Sequence, residues 1–247
     1  MAKGKRNNSI RNTKTRDSSS KKIFDDPFLC AQFLRGYVGI DMLKDVQPED
    51  IEDMSERFLW LWQEERDSDS VKKIRIKRDG KVIVLYVIAL IEHQSSVHYD
   101  MSFRILRYVV MILDEYAKDQ ETLHPGITKT KSFQYPPILP IVFYDGTDNW
   151  TAARDFRDRV FLSDVLGDYI PSFQYLVVPL QKYTDQELIE KGDELSLIML
   201  VDKLRNASDF KKFKDIPEEY LENISQNSPE SVLKLISSII AVLLYKL

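Results

Sequence analysis

Cysteine is almost missing from this chain: 247 residues include one, Cys30. A single thiol excludes a disulfide framework and any cysteine-based zinc site, and it fits a reducing compartment, so a cytoplasmic location is expected. Long apolar runs are missing too. The longest, 82–91 and 236–245, fall well short of the roughly 20 residues that a membrane span needs, so no membrane partner is expected. The first 22 residues are polar and basic, which is unlike a secretory leader. No internal repeat is visible. A broadly basic surface is absent as well, because the net charge is −4. That figure hides an asymmetry. Residues 1–22 carry eight Lys/Arg against Asp17 alone, about +7, so the rest of the chain is near −11. The segment reads as a disordered, solubilising tail that could also meet phosphates non-specifically. On so acidic a body, any nucleic-acid contact has to be local.

What is present is enough core. At 43% hydrophobic content, the chain can bury one good core. Its most informative stretch is 81–96, KVIVLYVIALIEHQSS, an apolar run that stops at Glu92-His93-Gln94. A strand this apolar is buried on both faces, and its polar end belongs at the rim of a sheet, where sites form in open α/β folds. Asp79-Gly80 lies between it and a second strand-like run at 71–77, a strong hairpin signal. With those two residues in the turn, Arg78 pairs with Lys81, Asp69 falls opposite Leu90, and Asp67 falls opposite Glu92. Opposed residues share a face and faces alternate, so Asp69, Glu92 and Gln94 project together. Asp67 is the rival to Asp69. Two carboxylates and an amide suit a hard cation such as Mg²⁺, with Mn²⁺ as a substitute.

Elsewhere, 26–37 has helical spacing, with Asp26 as cap and Pro27 in the first turn. Segment 48–62 reads as a helix or as a turn and a strand, with Phe58, Trp60 and Trp62 expected in the core. Segment 100–116 reads as a helix apolar almost all round, carrying Arg104 and Arg107 on one face. Segment 118–135 reads as a loop, 138–144 as a third buried strand and 174–179 as a fourth. Helices are expected over 185–205, 217–224 and 228–247, the last serving as core or as an interface. His98 and His124 read as surface or packing residues. The order implies an α/β fold with a mixed sheet and a helical C-terminal part. The expected division is a tail at 1–22, a core at 23–183 and a helical region at 184–247.

Three stretches carry a resemblance. These are LIEHQSSVHYDMSFRILRY (90–108) with its E-x-Q signature, PPILPIVFYDGTDNW (136–150), and Asp69 in DSDSVKK ahead of the hairpin. Together they resemble the recombination-promoting nuclease and transposase-like family (Rpn, YhgA-like), a branch of the PD-(D/E)xK nuclease superfamily. Asp145 and Asn149 depart from it, standing where many relatives carry His and Pro. The resemblance implies a restriction-endonuclease-like mixed central sheet flanked by helices, and metal-dependent hydrolysis of DNA linked to recombination or mobile elements. It implies Asp69 and Glu92 as Mg²⁺ ligands joined by the His93 backbone carbonyl. Gln94 replaces the usual lysine and orients water without adding positive charge. Arg104 and Arg107 are the candidate DNA-phosphate contacts. A homodimer would suit cleavage of both strands. The acid that the superfamily often supplies from its first helix has only Asp25, Asp26 and Glu49 as candidates. The alternative function is a catalytically degenerate nuclease fold that binds DNA or a protein partner.

Overall fold

The structure is a computed structural model that describes residues 21–59, 69–78, 80–92, 97–144, 146, 148–204, 211 and 214–244. Among the described residues five strands form one sheet: β1 (Ile51–Asp53), β2 (Ser70–Arg78), β3 (Lys81–Glu92), β4 (Ile138–Tyr144) and β5 (Leu176–Pro179), in the order β1-β2-β3-β4-β5. β2 is antiparallel to both β1 and β3, while β4 and β5 continue parallel to β3. One strand therefore runs against the other four. Arg78 pairs with Lys81 and Ser70 with Ala89, the register that the Asp-Gly turn predicts. Gly80 sits at φ +73, a left-handed backbone that such a turn demands and that glycine adopts without Cβ strain.

The β3 residues alternate between two cores. Tyr86, Ile88 and Leu90 pack on α3 (Met101–Leu123), together with Val71, Ile105 and Ile112. Leu85, Val87 and Ala89 pack on the other side against α1 (Pro27–Gly36) and the C-terminal helices. The sheet is thus the middle layer of three, which explains why its central strands read as unbroken apolar runs. Asp26 caps α1 as expected, its carboxylate accepting from the Phe28 and Leu29 amides at 2.9 and 3.1 Å.

The C-terminal part consists of α4 (Asp185–Lys191), α5 (Glu194–Asp202), α6 (Glu218–Asn227) and α7 (Glu230–Leu244). The single helix expected over 185–205 is two, because Gly192 takes a left-handed φ of 62° and Asp193 starts a new capped helix. Val232, Ile236 and Ile239 of α7 are buried in the same core as Leu29, Phe33 and Leu34 of α1. That makes this part of α7 core.

Two other expectations are corrected. The helix after the hairpin runs on to Leu123 instead of giving way to a loop at 118. Its polar last turns are held by ion pairs, with Arg57 of α2 (Ser55–Leu59) reaching Glu115 at 2.9 Å and Asp119 at 2.7 Å. β1 adds a short edge strand within the ambiguous segment 48–62, so the strand at Leu176–Pro179 is the fifth. Phe58 is 1% exposed, as expected of core, whereas Trp60 and Trp62 lie outside the described residues.

Candidate functional site

Because β2 is reversed, its first residues come to the same edge of the sheet as the carboxyl ends of β3, β4 and β5. Asp69 immediately precedes β2, and Glu92 closes β3 in register with Tyr144 of β4. Residues far apart in sequence thus meet at one edge, on the α3 side in the case of Asp69.

Asp69 is 1% exposed. Its carboxylate is held by two residues one turn apart on α3. The Arg104 guanidinium donates through Nη2 to Oδ1 and through Nε to Oδ2, the latter at 3.2 Å, and the Tyr108 hydroxyl donates to Oδ2 at 2.7 Å. Spacing i, i+4 brings both donors to one face of the helix, above the start of β2. Such a pair is one of the few ways a carboxylate can be buried at acceptable cost. Nearby on the same helix, the buried Ser102 Oγ has no hydrogen-bond partner among the described residues.

Arg104 and Arg107 do not act alike. Arg104 is 7% exposed and committed to Asp69, so a phosphate contact through it would require that pair to open. Arg107 is half-buried, its guanidinium 6.0 Å from the Phe103 ring centroid. Tyr108 was missed in the sequence. The signal for it was present, since Tyr108 follows Arg104 by four positions.

None of the three candidate acids, Asp25, Asp26 and Glu49, is recorded as a partner of Asp69 among the described residues. Asp26 is consumed as the cap of α1, Glu49 is exposed, and Asp25 lies within electrostatic reach of Lys72 and Asp53. Lys72 is almost fully buried and pairs with Asp53 at 3.0 Å. Although only three residues from Asp69, Lys72 alternates to the α1 side of the sheet, away from the Asp69 carboxylate. Burial raises the Asp53 carboxyl, but hydrogen bonds from Ser55 and Lys72 outweigh it and hold the group below its usual range.

Beyond Tyr144 the chain folds back over the ends of β4 and β5. The Tyr144 ring lies so close to Gly146 that a Cβ there would meet it at 2.1 Å. Trp150 stands edge-on to Tyr144 with ring centroids 5.2 Å apart. Its indole N–H donates to the Tyr175 hydroxyl at 3.1 Å, which in turn donates to the Ala153 carbonyl at 2.8 Å. The aromatic residues of 136–150 thus form part of a packed floor beside the end of β3.

Residues 14–232 match the family described as "Putative transposase, YhgA-like". The chain belongs to this family. No curated protein and no solved structure matches it. In this YhgA-like protein the α/β fold is the one the resemblance implies, a mixed open sheet with helices on both sides and helices at its C-terminal end. Among the described residues no helix is long and apolar enough to cross a membrane. Of the expected site, Asp69 and the backbone of Glu92 meet at one edge, whereas Asp67, His93 and Gln94 lie outside the described residues. Among the described residues no three His, Cys, Asp or Glu side chains cluster as a metal centre.

Proposed function

We propose that the protein is a Mg²⁺-dependent endonuclease that hydrolyses DNA phosphodiester bonds in recombination or in the life of mobile elements. The observation that carries this reading is the convergence of Asp69 and the end of β3 at one sheet edge, in a chain of the YhgA-like family. Asp69 and Glu92, with the His93 carbonyl, would hold the metal.

The donor set suits a hard cation. Carboxylate oxygens offer about four lone-pair positions. Among the described residues, Asp69 uses one on Oδ1 and two on Oδ2, which leaves a direction on Oδ1. When bound, Mg²⁺, or Mn²⁺ in its place, supplies positive charge at the scissile phosphate and raises the acidity of a coordinated water. The chain's own contribution is positional. Arg104 and Tyr108 fix the Asp69 carboxylate, and α3 shields it from bulk water. Gln94 orients the attacking water through its amide. Because an amide adds no positive charge, turnover without further cations is slow.

The closed Arg104–Asp69 pair favours one other reading, a nuclease fold that binds DNA without cutting it. Plasmid nicking with Mg²⁺, Mn²⁺ or EDTA separates the two, with Glu92→Gln and Gln94→Ala run in parallel. Metal-dependent nicking that falls at least ~100-fold in Glu92→Gln is the expected result. A folded wild-type protein that nicks with neither metal overturns the nuclease reading in favour of the binding one.

A further inference from the structure

The carboxyl ends of β4 and β5 frame a cleft of about 270 Å³, lined by Tyr144, Gly146, Asp148, Trp150, Arg154 and Lys182 among others. Two features tie it to the edge already described. Tyr144, one of its walls, is the register partner of Glu92. The residues that form its floor, Tyr144, Trp150 and Val177, belong to the side of the sheet where Asp69 meets α3, or pack against it. Neighbouring strands lie about 4.8 Å apart. β4 is two strands from β2, so the cleft begins roughly 10 Å from the Asp69 strand.

Its charge differs from that of the body. Arg154 and Lys182 are exposed and form no ion pair among the described residues. Among the described lining residues the two cations, Arg154 and Lys182, face one acid, Asp148, in a body near −11. On such a body, contact with a polyanion has to be local, and this cleft supplies a local positive site beside the proposed centre.

We infer that this cleft binds the sugar-phosphate backbone of the DNA strand next to the bond to be cut, with Arg154 and Lys182 as the phosphate contacts. The inference rests on the nuclease reading for its choice of ligand, but its test is independent of cleavage. Both residues are exposed where they line the cleft, and the aromatic floor holds the loop that carries Arg154. Tyr175 contributes here through its backbone N–H, which donates to the Arg154 carbonyl at 3.4 Å.

The test is equilibrium binding of the full chain to a short fluorescein-labelled DNA duplex and to its single strand, in EDTA, over a range of salt. Arg154→Ala/Lys182→Ala should weaken binding at least ~10-fold and flatten the log–log salt slope by about 1.5. Asp148→Asn should tighten it, a gain that a misfolded variant does not produce. Lys77→Ala/Lys81→Ala, an equal loss of charge at the far end of the hairpin, should change the affinity less than ~2-fold, as the basic tail's contribution is common to all variants. Equal effects from the two double variants, or no DNA binding by the wild type, overturn the inference. A labelled RNA strand that binds better than DNA in the same Arg154/Lys182-dependent way reassigns the ligand and overturns the DNA choice. If the wild type binds through the cleft yet never nicks, the nuclease reading fails while this one stands.

Discussion

The two faces of the sheet bury carboxylates in opposite ways. On the α3 face, Asp69 is held at the rim by a cation and a phenol from one helix. On the α1 face, a buried acid, Glu194, and the half-buried Asp193 sit between helices. Glu194 accepts from the Gln32 amide and from the Ser228 hydroxyl, which joins α1, α5 and the start of α7. Asp193 caps α5 through the Ser196 amide at 2.6 Å and accepts from Tyr37 at 2.9 Å. The first arrangement fixes a group at an edge that is open to chemistry. The second welds the chain's helical ends into one core. Buried polarity is thus a positioning device on one face and a fastening on the other.

That contrast breaks most visibly at Arg104. Arg104→Ala leaves Asp69 buried without its cation, and a loss of about 3–5 kcal/mol in urea unfolding is expected, along with loss of any nicking. A loss below about 1 kcal/mol would mean that the pair is not desolvated as drawn. Tyr108→Phe keeps the ring and removes one hydrogen bond to a carboxylate. It should cost about 1–3 kcal/mol and weaken Mn²⁺ binding, read by electron paramagnetic resonance, because Oδ2 keeps only its longer bond from Arg104 Nε. Unchanged Mn²⁺ affinity would place Tyr108 on the fastening side of the comparison. Asp193→Ala removes a cap and the Tyr37 contact, for about 1–2 kcal/mol. It should leave DNA binding and nicking per folded molecule intact, and a selective loss of activity there would erase the distinction between the faces.

The smallest effect concerns Cys30, buried on the α1 face, where desolvation pushes its thiol up to about 12. A thiol whose folded value lies so far above neutrality stays protonated in the native state. Labelling with a disulfide reagent at pH 8 should therefore follow global unfolding and not precede it.

Much of this architecture was legible, and the reasons are local. Asp79-Gly80 fixes a hairpin register, and that register carries Asp69 to its position without any tertiary information. The double-sided burial of β3 shows as an unbroken apolar run. What could not be read depended on distant partners. The last turns of α3 have no apolar stripe, and Arg57, nearly 60 residues upstream, supplies their anchor. β1 is three residues long and shows no alternation to detect. The break at Gly192 hid inside a segment of strong helix formers. At the site, sequence spacing grouped Arg104 with Arg107 as candidate phosphate contacts, because i, i+3 neighbours look equivalent until one knows which side the sheet lies on. The Arg154–Lys182 cleft was invisible for a simpler reason: β5 brings its two cations together from separate loops.

The sharing of one core by α1 and α5–α7 also bears on how the polypeptide matures. During synthesis, the apolar surface of Leu29, Phe33 and Leu34 has to wait for partners more than 160 residues downstream, such as Leu195, which covers it from α5. Pairings of such long sequence separation form late and leave sticky surface in the interim. A reading frame interrupted between the hairpin and α5 would therefore yield neither a smaller working protein nor a harmless fragment, but a product for the proteases.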